Sequence, residues 1–423
     1  MTVCLSMIVR DAAADLAACL ASARGVVDGM VIADTGSRDG TAALARGLGA
    51  QVIEIPWEDD YAAARNRALA AVASDWVLVL DADERLDAGG APASWRGQLH
   101  PRGDGPDAFQ VTIRNYMSSV GARLWDRPAE PNDHRCPEAD ALPAFITHQN
   151  VRLFRRCPEL AFVGRVHESV GPRVAAAGLR LGESRGCIHH FGLALEGERQ
   201  AGKNRYYREL GRRKAAERPG DAQAHFELGL TEFENFHQDG EALACFERCL
   251  RLQPGFTLAW VYGGAALLRM GHPAEALGFL GEAAQQGHAS AWLLEMQGDA
   301  GYNLGQFAAA AACYRAAARA QTGRGDDSGL QSKQGLSLLR AGDRGEGFRL
   351  LRAARERNPQ RADNHDRLVA ACVWAGDREG AREAQRTRLG LFPGAAASRR
   401  LEALESFPEE AAAPIQVLQE ARR

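Results

Sequence analysis

Two aspartates separated by one residue close a short apolar run in VLVLDADE, Val77–Glu84. The side-chain period of an extended chain is two, so Asp81 and Asp83 leave such a strand on one side. Two hard carboxylate oxygens on one side suit Mg²⁺ or Mn²⁺ bridging the phosphates of a nucleotide, whereas an ordinary D-x-D marks a solvated strand end. FVGRVHES places His167 and Glu168 next to each other. A carboxylate or an imidazole can act as general base beside an acceptor nucleophile, and an exposed turn is the plain alternative. The pair is not a metalloprotease signature, because H-E-x-x-H needs a histidine where Gly171 stands. His189 and His190 end a further apolar run, where a histidine either serves a site or is simply hydrogen-bonded. Arg152 in VRLFRR carries a permanent positive charge that either meets an anion or lies in solvent. No G-x-x-x-x-G-K-[ST] loop is present, which excludes a P-loop kinase or ATPase.

Short strands alternating with helices would position these groups. Residues 2–9, Gly29–Ala33, Gln51–Ile55 and Trp76–Leu80 read as strands; residues 12–23, Thr41–Leu48 and Tyr61–Ala73 read as helices. That alternation predicts a parallel sheet with helices on both faces, hence an α/β domain. Ligands bind such sheets beyond the carboxyl ends of the strands, where Asp34 follows the second strand and Asp81, Asp83 and Glu84 follow the fourth. Between 100 and 147 periodicity is lost, most completely in RPAEPNDHRCPEAD, Arg127–Asp140, and an irregular loop, a candidate acceptor lid, is expected. Strand-like runs at Phe109–Ile113, Val151–Phe154 and Cys187–His190 carry the first domain to about residue 195.

A linker helix over 196–218 leads into helix-sized blocks that repeat over 219–400, before a tail at 401–423. Gly229 aligns with Gly263, and Glu241-Ala242 with Glu275-Ala276, at a spacing of 34 residues. Gly298 and Gly335 continue the small-residue position with insertions. The period resembles the tetratricopeptide repeat, and stacked helix pairs bury what one pair cannot. An all-α platform for interaction is expected there rather than catalytic groups.

The chain has 423 residues, enough for two or three domains, and its formal charge is −3, without the positive field that nonspecific nucleic-acid binding requires. Its 9 cysteines form no C-x-x-C pair and read as reduced thiols. The N-terminus shows no basic leader, and no stretch approaches the roughly 18 apolar residues of a membrane span. A cytoplasmic location follows, with peripheral contact at the inner face of the membrane left open.

MTVCLSMIVRDAAADLAACLAS, VIADTGSRDGT, YAAARNRALAAVASDWVLVLDADE, FVGRVHES and IHHFG together resemble a family 2 glycosyltransferase of the GT-A fold over residues 1–195. With the repeats that follow, the chain is similar to bacterial family 2 transferases carrying a C-terminal repeat array. The resemblance implies a Rossmann-like, mostly parallel sheet and metal-dependent inverting transfer from a nucleotide diphosphate sugar, of the uridine type. The acceptor would be a saccharide, a lipid-linked saccharide or a peptide, with the repeats recruiting it or a protein partner. By motif, Asp34 resembles the acidic residue that bonds the uridine base, and Arg65 the arginine that reaches the donor diphosphate. Asp83 is then the principal ligand of Mn²⁺ or Mg²⁺ and Asp81 supports ribose or metal. Glu168 is the general base with His167 beside it, Arg152 meets the leaving diphosphate, and His190 closes the metal site. An inactive transferase fold serving as a protein-interaction scaffold is the alternative; retention of so many clustered charges counts against it.

Overall fold

Alternation of apolar runs with alanine-rich segments builds the first half of the sheet. In the computed structural model, residues 1–87, 92–118, 123–124, 127–192, 198–321, 326–394, 398 and 401–402 are described. Contacts divide the chain into two units, Met1–Thr231 and Glu232–Arg423. Strands β1 (Val3–Val9), β2 (Gly29–Asp34), β3 (Gln51–Glu54) and β4 (Trp76–Val79) alternate with helices α1 (Ala13–Ala23), α2 (Thr41–Gly47) and α3 (Tyr61–Ala70). The four strands run parallel in the order β3-β2-β1-β4, with Val9 opposite Asp34 and Ser6 opposite Val79. Alternate residues feed two cores. Leu5, Met7, Ile32 and Leu78 pack with Leu16 and Leu20 of α1; Cys4, Val31, Ala33, Val77 and Val79 pack with Ala62 and Ala68 of α3. Burial on both faces explains why these strands read as apolar runs without strict alternation.

Beyond β4 the sheet becomes mixed, a departure from the parallel pattern expected of the alternation. Strands β5 (Glu84–Leu86), β6 (Ala108–Met117), β7 (Ala144–Arg155) and β8 (Leu181–His190) complete the order β3-β2-β1-β4-β7-β6-β8-β5. Strand β7 is antiparallel to both β4 and β6, β8 is parallel to β6, and β5 is antiparallel to β8. Among the described residues no crossover α-helix joins β6 to β7, and the two consecutive strands pair antiparallel. The span 100–147, read as an irregular loop, therefore contains β6 and the start of β7. Its non-repeating stretch also folds back: Glu130–Pro131 pairs with β7, and Cys136 and Ala139 pack on Tyr116 and Phe145. Residues 119–122 and 125–126 of that span, and 403–423 of the tail, lie outside the described residues.

Helices α6 (Glu198–Glu217) and α7 (Ala222–Leu230) follow the short α4 (Ala93–Arg96) and α5 (Gly171–Ala176), and by contacts all four belong to the first unit. Tyr206, Tyr207 and Lys214 of α6 bond to Trp57, Tyr61 and the Val166 carbonyl.

The second unit is a run of helices: α8 (Asp239–Leu252), α9 (Thr257–Arg269), α10 (Pro273–Gln285), α11 (Ala291–Asn303), α12 (Phe307–Gln321), α13 (Ser328–Arg340), α14 (Arg344–Arg357), α15 (Ala362–Ala375) and α16 (Arg378–Leu391). Turns of a few residues join neighbours that pack together, as in antiparallel helix pairs. The small residues mark where helices touch. A Cβ at Gly264 would lie 2.7 Å from Leu280, one at Gly298 2.6 Å from Tyr314, and one at Gly335 3.0 Å from Leu351. In each case the partner stands sixteen residues later, so one close approach recurs along the array. Among the described residues, no helix is long and apolar enough to cross a membrane.

Candidate active site at the carboxyl ends of the strands

The charged groups converge where β4 ends. Arg65, one turn into α3 and 6% exposed, donates from Nη2 to Asp81 Oδ1 at 2.6 Å and from Nε to Glu168 Oε1 at 2.5 Å. Its guanidinium also lies 5.6 Å from the Phe162 ring. Arg152 of β7 meets Asp81 from the other side, with Nη2 at 3.3 Å from Oδ2 and at 2.9 Å from Glu84 Oε1. The antiparallel register of β7 on β4 delivers it there. Glu84 is 1% exposed and accepts the Asp81 amide on Oε2 at 2.9 Å.

These neighbours set the protonation states. Burial alone would raise the Asp81 carboxyl, but Arg65 and Arg152 hold it well below the usual carboxylate range. Glu84 is pushed up to about 7, chiefly by burial and with the Asp81 charge adding to it, against the pull of Arg152. Both arginines are shifted upward by the carboxylates they touch despite burial, and stay charged. Two donors remain over: Arg65 Nη1 and Arg152 Nε are buried with no hydrogen-bond partner.

Asp83 and His190 form the adjoining corner. His190 ends β8 opposite Glu84 of β5, which brings its Nε2 within 3.5 Å of Asp83 Oδ2. Its Nδ1 is 2.8 Å from Asn115 Oδ1 on β6, where Asn115 and His190 are register partners. Burial works against the charged ring, yet Asp83 and the neighbouring carboxylates raise its pKa above the ordinary value. A Cβ at Gly192 would collide with both Asp83 Oδ2 and His190 Nε2, so the glycine of HFG keeps this corner open. Among the described residues, no group of three or more His, Cys, Asp or Glu side chains is arranged to hold a metal by itself.

Asp34 lies at the end of β2, 3% exposed. Its Oδ1 accepts the amides of Gly36 and Ser37 at 2.8 and 2.7 Å, and its Oδ2 is buried without a partner. Asp39, by contrast, caps its own surroundings, with Oδ1 3.0 Å from the Thr41 amide and Oδ2 3.0 Å from that of Ala13. Asn66 clamps Phe162 through both its amide and carbonyl. His167 is exposed, has a φ of 53°, and its ring stands 6.3 Å from that of Tyr207. Glu168, next in sequence, points inward to Arg65, with a side chain only 11% exposed.

The structure thus gathers Arg65, Asp81, Asp83, Arg152, Glu168 and His190 around one strand end. It adds three residues to which the sequence alone assigned no role: Glu84, Asn115 and His148. Asn115 occupies a core-facing position of β6 between Val111, Ile113 and apolar neighbours, and a polar residue there was the readable signal. Its Nδ2 lies 2.7 Å from His148 Nδ1, and burial with the charges of Arg152 and His190 pushes His148 down to about 4.

Comparison with known proteins agrees with this architecture. Residues 4–156 match the family described as Glycosyl transferase family 2, so the N-terminal part of the chain carries a domain similar to that family. A TPR repeat-containing protein of Synechococcus elongatus is 33% identical over 233 residues, 54% of this chain and 51% of that protein. An uncharacterized glycosyltransferase of Rickettsia felis is 38% identical over 80 residues, 19% of this chain and 28% of that protein. The chain therefore spans about half the length of the first of these relatives and 28% of the second. Among solved structures, the TPR protein YrrB is 19% identical and covers 45% of this chain and 96% of its own, at a TM-score of 0.37.

Proposed function

We propose that the chain is a metal-dependent, inverting glycosyltransferase. It takes its sugar from a nucleotide diphosphate sugar of the uridine type and passes it to an acceptor, while the helical repeats recruit that acceptor or a protein partner. The observation that carries this reading is the pair of guanidiniums of Arg65 and Arg152, which meet on Asp81 and each keep a buried donor nitrogen unpaired. Buried donors without partners are costly unless a ligand fills them, and a diphosphate supplies the acceptors they lack.

Asp83 and His190 would hold a divalent cation such as Mg²⁺ or Mn²⁺, which would supply positive charge to the diphosphate. Asp81, whose two oxygens are taken by Arg65 and Arg152, serves instead to fix both guanidiniums. Arg65 and Arg152 stabilise the charge of the departing diphosphate from the protein side. Asp34 offers its free Oδ2 to an N–H of the base. Glu168 takes the proton of the acceptor hydroxyl, held in orientation by Arg65 on Oε1, with His167 at the exposed rim.

The test is the thermal midpoint of the whole protein with uridine, guanosine and thymidine diphosphates, each with Mn²⁺ or with chelator. A nucleotide at 100 times its Kd adds about 2.7 kcal/mol. Stabilisation by uridine diphosphate that needs Mn²⁺ and is lost in Asp83→Ala is expected. No response to any nucleotide returns the chain to the scaffold reading.

A further inference from the structure

Aromatic side chains wall the side of the site next to Glu168, and the donor chemistry uses none of them. Tyr61 opens α3 one helical turn before Arg65, on the same face. Trp57 precedes it with its ring centroid 4.8 Å away, edge to face. Tyr206 and Tyr207 arrive from α6. The Tyr207 ring stands 5.8 Å from Tyr61 and 6.3 Å from His167, and the hydroxyls of Tyr61 and Tyr207 are 3.4 Å apart. Tyr206 accepts from Trp57 Nε1 at 2.6 Å and donates to Asp59. Lys203, exposed one turn earlier, holds its Nζ 5.6 Å from the Tyr207 ring. Burial and the charges of Tyr61, Glu168 and Asp81 raise the Tyr207 phenol above its ordinary value, in keeping with its place beside those carboxylates.

Rings that served only to fasten α6 would be expected to vanish into a core. None of Trp57, Tyr61, Tyr206 and Tyr207 does; all four stay half-buried. A partly open ring with a phenol hydroxyl at its edge presents an apolar face and a polar rim together. A sugar ring has the same two parts: C–H groups on its face and hydroxyls around its edge. A peptide is more often held along a free strand edge or in a side-chain groove, and this wall is made of a helix start and one helix flank.

On the transferase reading above, we propose that α6 completes the acceptor subsite: Tyr207 and Tyr61 receive the ring of a saccharide acceptor and hold its nucleophilic hydroxyl toward Glu168. Both are positioning residues. The acceptor is then a saccharide and not a peptide, and the first helix beyond the sheet is part of the site rather than a spacer.

Saturation-transfer NMR on the full chain, with uridine diphosphate and Mn²⁺ present, tests this against methyl glycosides of glucose, galactose, mannose, N-acetylglucosamine and glucuronic acid. At least one glycoside is expected to bind. Its affinity should fall about tenfold in Tyr207→Ala and about threefold in Tyr207→Phe, with nucleotide affinity within about twofold of the parent. Tyr207→Phe keeps the ring and its packing, so it decides the matter if Tyr207→Ala folds poorly. The proposal is overturned if no glycoside binds the parent, if Tyr207→Phe binds every glycoside as the parent does, or if a random decapeptide pool binds instead and is lost in Tyr207→Ala. Failure of the parent to bind uridine diphosphate would refute the donor reading itself. Nucleotide binding without any glycoside response refutes the acceptor assignment alone.

Discussion

Two clusters of charge, one in each unit, are built from similar parts and end differently. In the second unit Lys333 of α13 gives Nζ to Glu295 Oε1 at 2.8 Å and to both oxygens of Asp299 at 2.7 and 2.8 Å, and Tyr314 donates to Asp299 at 2.7 Å. Three donors on one ammonium find three acceptors, so the cluster closes on itself and ties α11, α12 and α13 together. In the first unit Arg65 and Arg152 share Asp81, Glu84 and Glu168, yet each keeps a buried nitrogen unpaired. The lesson is that burial of charge does not by itself distinguish a brace from a binding site; what sets the first cluster apart is that two unpaired donors belong to guanidiniums sharing one carboxylate at a strand end.

Removing one partner from either cluster should expose that difference. Arg65→Met leaves Glu168 without its guanidinium and Asp81 with Arg152 alone, and should cost about 3–5 kcal/mol of stability in the first unit. Amide exchange resolved by segment would show β1, β4 and α3 opening while α9–α16 keep their protection, and uridine diphosphate binding should vanish. Undiminished nucleotide binding in this variant would break the comparison at its strongest point. Lys333→Met should cost about 2 kcal/mol, less because its carboxylates retain some solvent, and confined to α11–α13. Nucleotide affinity should not change. A fall there would mean that the second cluster also serves the site.

Much of this was legible before any coordinates. β1 to β4 were readable because they alternate with three helices, and residues at strand ends such as Asp34, Asp81 and Asp83 follow from that grammar. Arg152, Glu168 and His190 were nameable by type and by motif, but which of them meet depends on register: β7 antiparallel on β4 puts Arg152 beside Asp81, and β8 against β5 puts His190 beside Asp83. Nothing local encodes those pairings, since Arg152 and Asp81 are 71 residues apart and His190 and Asp83 are 107 apart. The same holds for Tyr207, which reads as an ordinary helix residue until α6 packs against α3. The runs Phe109–Ile113, Val151–Phe154 and Cys187–His190 do mark parts of β6, β7 and β8, but the full length and antiparallel pairing of β6 and β7 escaped, because the stretch between those two runs is dominated by Pro, Gly and Asp, where turn chemistry hides the strand pattern.

The comparison sharpens further where a change alters ligand capacity with little effect on folding. Asp83 is partly open and its backbone carbonyl, not its carboxylate, meets Phe191. Asp83→Asn should therefore move stability by no more than about 0.5 kcal/mol. Uridine diphosphate affinity in Mn²⁺ should drop at least about tenfold, and the gap between Mn²⁺ and chelator should close. Equal loss of affinity in chelator would show Asp83 acting on the nucleotide directly.

The smallest effect is expected at Asp34, and it is the most discriminating. Asp34→Asn keeps the oxygen that accepts Gly36 and Ser37, so the turn after β2 should survive with a change under about 1 kcal/mol. What changes is Oδ2, an acceptor without a partner that becomes an N–H₂ donor. Uracil presents an N–H at its N3 and should lose about tenfold in affinity, whereas cytosine, which presents a bare acceptor nitrogen at the same place, should gain. Isothermal titration with uridine and cytidine diphosphates would read the two shifts in opposite directions. If both nucleotides weaken together, Asp34 supports the turn alone and the base is recognised elsewhere; if they cross, the unpaired oxygen at the end of β2 is the element that selects the donor.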